Sequence, residues 1–222
     1  MKENEIQDEL SSIRNLMERS SKFISLSGLS GILAGVFALI GAAAAYYFIY
    51  DSGARIFNPY NITDDDIPDK SNFYGSSFGG FNDLTIKLLF IALLVLIVSL
   101  GCGIFLTMRK AKRKSQPIWG NTSRLILFHL ATPLVTGGIL ILIFIHRGYY
   151  GIVAPVSLIF YGISLVSASN FTLTLVKYLG LCEIILGLIA ACLPGYGLLF
   201  WAIGFGLLHI IYGSLMYLKY DR

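Results

Sequence analysis

From residue 23 onward the chain is a succession of long apolar runs broken by short polar or charged stretches. A helix needs roughly 20 mostly apolar residues to cross a hydrocarbon core about 30 Å thick. Six windows meet or approach that length, at about 23–50, 84–108, 123–146, 150–167, 173–193 and 196–218. The pattern predicts an all-α polytopic membrane protein built as a bundle of six transmembrane helices. Ahead of them, Ile6, Leu10, Ile13 and Met17 recur at the helical period among charged neighbours. Residues 1–22 are therefore expected to form an amphipathic cytoplasmic helix. Through residues 1–20 it can lie on the membrane surface, pair with a copy of itself in a homo-oligomer, or dock a cytoplasmic partner; as a solvated lead-in to the first span it does none of these.

The last two windows form a hairpin about the turn Pro194-Gly195-Tyr196-Gly197, and each half carries one out-of-place residue, Glu183 in the first and His209 in the second. The turn lies midway between them, so folding the hairpin brings both to one level. Glu183 shares its helical face with Gly180 and Gly187, and His209 shares its face with Gly206 and Gly213. Stripes of small residues are what pack against a neighbouring helix in lipid, so neither polar side chain is expected to face the hydrocarbon. Gly31 and Gly35 make a GxxxG in the first span with the same packing use.

Composition agrees with a bilayer setting. Of 222 residues, 55% are hydrophobic and 14% charged, and the mean hydropathy is +0.71, far from a soluble domain of average usage. The formal charge of +4 points to orientation in the membrane rather than to nucleic acid. Arg109, Lys110, Lys112, Arg113 and Lys114 follow the second span directly, and such a cluster beside a short loop belongs on the cytoplasmic side. Six spans then put both termini inside, which fits Lys219 and Arg222. The same loop can touch anionic headgroups, although orientation alone accounts for it.

Residues 51–83 become the one long outer loop. Its Asp64, Asp65, Asp66 and Asp69 lack the spacing of a calcium loop and read as solvated charge. Asn61-Ile62-Thr63 is a glycosylation sequon only in a eukaryotic secretory pathway. No cleavable signal is expected, because the first 22 residues are polar and the apolar run after them is too long for a signal core. Cys102, Cys182 and Cys192 all fall within spans and are expected as free thiols. Cys182 and Cys192, about 15 Å apart along one helix, cannot bridge.

The candidate chemistry gathers at one depth. Counted at about 1.5 Å per residue, Glu183 lies roughly 15 Å, His209 roughly 14 Å and His129 roughly 9 Å from the cytoplasmic end of its span. Ser164 falls in the same inner half, Tyr212 stands one turn from His209, and Pro133 predicts a kink at His129. A carboxylate there costs about 2.5–3.5 kcal/mol on insertion scales, so Glu183 should be neutral or paired, with His209 its natural partner.

The favoured reading is a Glu183–His209 pair that locks two helices of a non-enzymatic structural or regulatory membrane protein. A proton-coupled transporter or channel relaying through Glu183, His209 and His129 is the first alternative. An intramembrane metal-dependent enzyme with His129, His209 and Glu183 as ligands is the second. A haem held between the two histidines would have Glu183 as an awkward neighbour, and no cofactor is expected. The chain contains no P-loop, dinucleotide fingerprint, GxSxG elbow or CxxC pair.

The segments ERSSKFISLSGLSGILAG (Glu18 to Gly35) and PGYGLLFWAIGFGLLHIIYG (Pro194 to Gly213) resemble those of bacterial multi-pass membrane proteins of no known activity. The resemblance implies a bacterial inner membrane and supplies no substrate, cofactor or catalytic residue.

Overall fold

A computed structural model describes residues 27–51, 83–113 and 119–221. The expected N-terminal amphipathic helix, residues 52–82 of the expected outer loop with their aspartates and sequon, and residues 114–118 lie outside the described residues. Among those described there is no strand. Six helices follow in order: α1 Gly28–Asp51, α2 Asp83–Arg113, α3 Asn121–His146, α4 Val153–Ala168, α5 Thr174–Cys192 and α6 from Gly197 to Asp221. Single 3₁₀ turns, Tyr150–Ile152 and Ser169–Phe171, extend α4 at both ends. All six units are long and apolar enough to cross a membrane. The fourth span is thus longer than the 150–167 window, because Ser169, Asn170 and Phe171 continue as a 3₁₀ turn where a loop is expected. Pro155 falls in the first turn of α4, where a missing N–H costs nothing. The third helix runs on through Pro133.

Contacts order the bundle as a row. α1 packs on α2 and α6; α4 packs on α3, α5 and the start of α6; α5 also meets α6. α2 and α3 stand at the margins and present Phe90, Leu96, Ile97, Phe105, Phe128 and Val135 outward. A surface of that kind is at rest in hydrocarbon, not in water. Lys87, in the first turn of α2, reaches Asp83 at 2.6 Å and lies over the ring of Phe48. At the other end of the bundle Leu165, Leu173, Val176, Leu179 and Met216 form a buried cluster.

Glycine sets how closely the central helices approach. A Cβ on Gly162 of α4 would stand 2.6 Å from the carbonyl oxygen of Gly180 on α5, and one on Gly180 would stand 2.7 Å from that of Gly162. Gly187 meets the Pro155 carbonyl in the same way at 3.0 Å. Between α1 and α6, a Cβ on Gly35 would come within 2.5 Å of the Gly206 carbonyl, and Gly213 lies against the backbone of Gly31 and Ile32. All six stripe glycines therefore sit in helix contacts within this chain: Gly31 and Gly35 face α6, Gly180 and Gly187 face α4, and Gly206 and Gly213 face α1.

The hairpin turn follows from its residues. The N–H of Tyr196 donates to the carbonyl of Leu193 at 3.4 Å. Pro194 supplies its fixed φ, and Gly195 takes φ 95°, the positive value that a type II turn requires at its third position.

Gly162→Ala should lower stability by about 1–3 kcal/mol, since the new methyl meets backbone that cannot yield. Gly138→Ala, whose added Cβ would meet none of the described residues within 4 Å, should be neutral or stabilising by up to about 1 kcal/mol. Unfolding in bicelles measures both; equal effects at the two positions would contradict the packing described.

Candidate functional site

Glu183 is fully buried on α5, with 0% exposure, and His209 on α6 is 8% exposed. The type II turn and the even spacing about it bring them to one level, with His209 Nδ1 3.5 Å from Glu183 Oε1. They are near neighbours rather than a hydrogen-bonded pair: among the described residues neither oxygen of the Glu183 carboxyl has a hydrogen-bond partner. Both nitrogens of the histidine are engaged elsewhere. Nδ1 lies 3.0 Å from the carbonyl oxygen of Gly204, and Nε2 lies 2.7 Å from the hydroxyl of Tyr161 on α4.

These contacts assign the tautomer. A carbonyl oxygen only accepts, so Nδ1 carries the hydrogen it donates to Gly204. In the neutral ring Nε2 is then the acceptor, and Tyr161 donates to it. One N–H thus faces two acceptors, the nearer being the Gly204 carbonyl and the farther the Glu183 carboxyl.

The local backbone makes this possible. Over Ala202–Leu208 the sixth helix widens into a π-turn before returning to α-helix at His209–Met216, and it widens again at Tyr217–Asp221. The wide turn places the Gly204 carbonyl, five residues before His209, within reach of its own side chain. Such turns are rare and concentrate at functional sites. Gly204 also leaves room for the acid: a Cβ there would stand 2.5 Å from Glu183 Oε2 and 2.5 Å from Leu158 Cδ2. Rings frame the histidine. Trp201 and Phe205 lie 5.0 Å apart, Phe205 stacks on His209 at 6.1 Å, and Tyr161 lies 5.4 Å from the histidine ring.

The other candidates take their hydrogen bonds outside this cluster. His129 Nδ1 pairs with the Ser167 hydroxyl at 3.0 Å, and its ring rests 5.0 Å from Phe171. Tyr212 OH lies 3.4 Å from Cys182 Sγ, a contact between α5 and α6 separate from the acid. Ser164, fully buried, donates its hydroxyl to the Phe160 carbonyl of its own helix at 2.9 Å. Among the described residues no three His, Cys, Asp or Glu side chains stand close enough to hold a metal ion, so the His129, His209 and Glu183 trio does not assemble. The cysteines are free thiols.

Two members of the cluster escape sequence reasoning. Tyr161 sits between Ser157 and Ser164 at helical spacing in mid-span, away from the interfaces where tyrosine collects, and that position is the signal it offers. Gly204 lies two positions before Gly206, off the Gly206–Gly213 stripe, and shows itself only through the acid that packs against it.

Tyr161→Phe leaves Nε2 of a buried ring without its donor and should cost about 0.5–2 kcal/mol. ¹⁵N spectra of the imidazole should show the Nε2 resonance moving while Nδ1 remains protonated. Gly204→Ala should destabilise far less when combined with Glu183→Ala than alone, a coupling of about 0.5–3 kcal/mol in a double-mutant cycle. Additive effects would contradict the contact between Gly204 and the carboxyl.

Comparison with protein-family models, with curated proteins and with solved structures finds no match, and the functional reading stands on the geometry of the cluster alone.

Proposed function

We propose that this chain is a non-enzymatic regulatory protein of a bacterial inner membrane, with both termini in the cytoplasm, whose α4–α5–α6 core responds to protonation of Glu183. The observation that carries the reading is the single Nδ1–H of His209 facing two acceptors, Gly204 O at 3.0 Å and Glu183 Oε1 at 3.5 Å. With Glu183 neutral, the hydrogen belongs to Gly204 and holds the π-turn. An ionised carboxylate is the stronger acceptor, and charge-assisted N–H···O bonds settle at about 2.7–2.9 Å. Ionisation therefore draws the ring toward α5 and releases Gly204. A buried group whose protonation redirects one hydrogen bond is a local event with a two-state element beside it, the arrangement that pH-responsive proteins use.

Relay of a proton from Glu183 through His209 to His129 has less in its favour. The nitrogen facing Glu183 already bears a hydrogen, the accepting nitrogen faces Tyr161, and His129 is engaged with Ser167.

Trp201, against Phe205, reports on this turn. In a Trp119→Phe background, reconstituted in nanodiscs, Trp201 emission should change over the course of a pH titration as Glu183 gains or loses its proton. Glu183→Gln, which keeps the shape and removes the titration, should abolish the change. Full retention of the pH response in Glu183→Gln would overturn the proposal.

A further inference from the structure

At the end of the bundle away from the hairpin turn, a cavity of about 340 Å³ opens between the start of α1, the last turns of α2 and the end of α6. At roughly 30 Å³ per water it has room for about ten. α2 contributes three cations, Arg109, Lys110 and Arg113. Arg109 and Arg113 are one helical turn apart and therefore share a face. Ser27 and Tyr217 add hydroxyl groups, and Leu29 and Leu106 line the remainder. Among the described residues that line it there is no carboxylate. Two of the walls are fixed to each other, because Gly28 packs directly on the backbone of Tyr217.

Each property narrows the ligand. Convergent guanidinium and ammonium groups recognise phosphate, arginine with a planar fork of donors. Leucine on the remaining wall suits a molecule that is apolar on one side. The position, at the ends of three membrane-length helices, is the depth of lipid headgroups, and basic pockets between transmembrane helices are a recurrent headgroup site. We infer that this cavity binds the phosphate headgroup of an anionic phospholipid, with its glycerol and acyl portions against Leu29 and Leu106. The inference is independent of the reading of Glu183, since no residue is shared between the two places.

Native mass spectrometry of the full chain released from nanodiscs tests it, with phosphatidylcholine alone or mixed with phosphatidylglycerol. One phosphatidylglycerol should remain bound to the unaltered protein. Arg109→Gln with Arg113→Gln should weaken retention by about thirtyfold, taking the typical contribution of two near-surface cations. Arg109→Lys with Arg113→Lys, which keeps the charge, should retain most of it and shows that the site tolerates substitution without unfolding. Lys112, exposed on the same turn but not among the residues that line the cavity, is the control. If Lys112→Gln costs as much per charge as the arginine changes, attraction is merely to the basic surface and the proposal is overturned. Inorganic phosphate in purely phosphatidylcholine nanodiscs separates the two sources of the chemistry. Absence of protection against thermal unfolding supports the lipid, whereas full protection that the double glutamine variant abolishes overturns the lipid as ligand.

Discussion

The close approach of helix backbones through glycine is the contact on which the other features depend. In hydrocarbon there is no solvent to drive apolar side chains together, so helices associate through dense packing and whatever hydrogen bonds they can share. Gly162 against Gly180 brings α4 and α5 into backbone contact, and Gly35 against Gly206 does the same for α1 and α6. Those two approaches fix the middle of the row, which is where Glu183 and His209 are buried. Among the described residues α2 and α3 lack comparable contacts at Gly103 and Gly138, where an added Cβ would meet nothing within 4 Å. The same residue type thus builds the core in one place and is merely tolerated in another, and the difference lies wholly in what stands opposite.

Close packing also determines how polarity is managed inside. Backbone groups buried in a membrane have to find partners within the protein. Most side chains here settle locally: Ser164, Ser214, Thr132 and Thr136 each donate to a carbonyl four residues earlier in their own helix. His209 differs, because its bonds span α4 and the π-turn of its own helix. Glu183 differs again, being buried with neither oxygen hydrogen-bonded among the described residues. A glycine at 204 is what admits a carboxyl into that space, so the acid and the irregular turn form one feature rather than two.

Much of this was legible from the residue pattern. Six apolar windows give six membrane-length helices because hydrophobic length is a property of the sequence itself. Glu183 and His209 could be set at one level because the Pro194-Gly195 turn fixes the register of the hairpin. Depth does not give azimuth, however, and His129, at a similar count along its span, turns toward Ser167 and Phe171. The partner of His209 was hidden for a related reason: Tyr161 lies 48 positions away, and its place depends on how α4 rotates against α5. The π-turn was hidden as well, since Ala202 to Leu208 reads as ordinary helix until the side chain of His209 takes up the Gly204 carbonyl.

The sixth helix joins the two unusual places in the molecule. His209 and Tyr217 lie eight positions apart, about 12 Å along the axis, with regular α-helix between them and a π-turn on either side. A segment of that length between two irregular turns moves as a unit, because its own hydrogen bonds resist bending more than the widened turns resist adjustment. α1 holds it along the same stretch, at Gly28, Gly31 and Gly35. Any displacement of His209 toward Glu183 is therefore transmitted to Tyr217 and the cavity at the basic end, or is absorbed in the π-turn over Ala202–Leu208. The relative stiffness of the glycine contacts and of that turn decides which, and the backbone-to-backbone fit of Gly213 against Ile32 favours absorption in the turn.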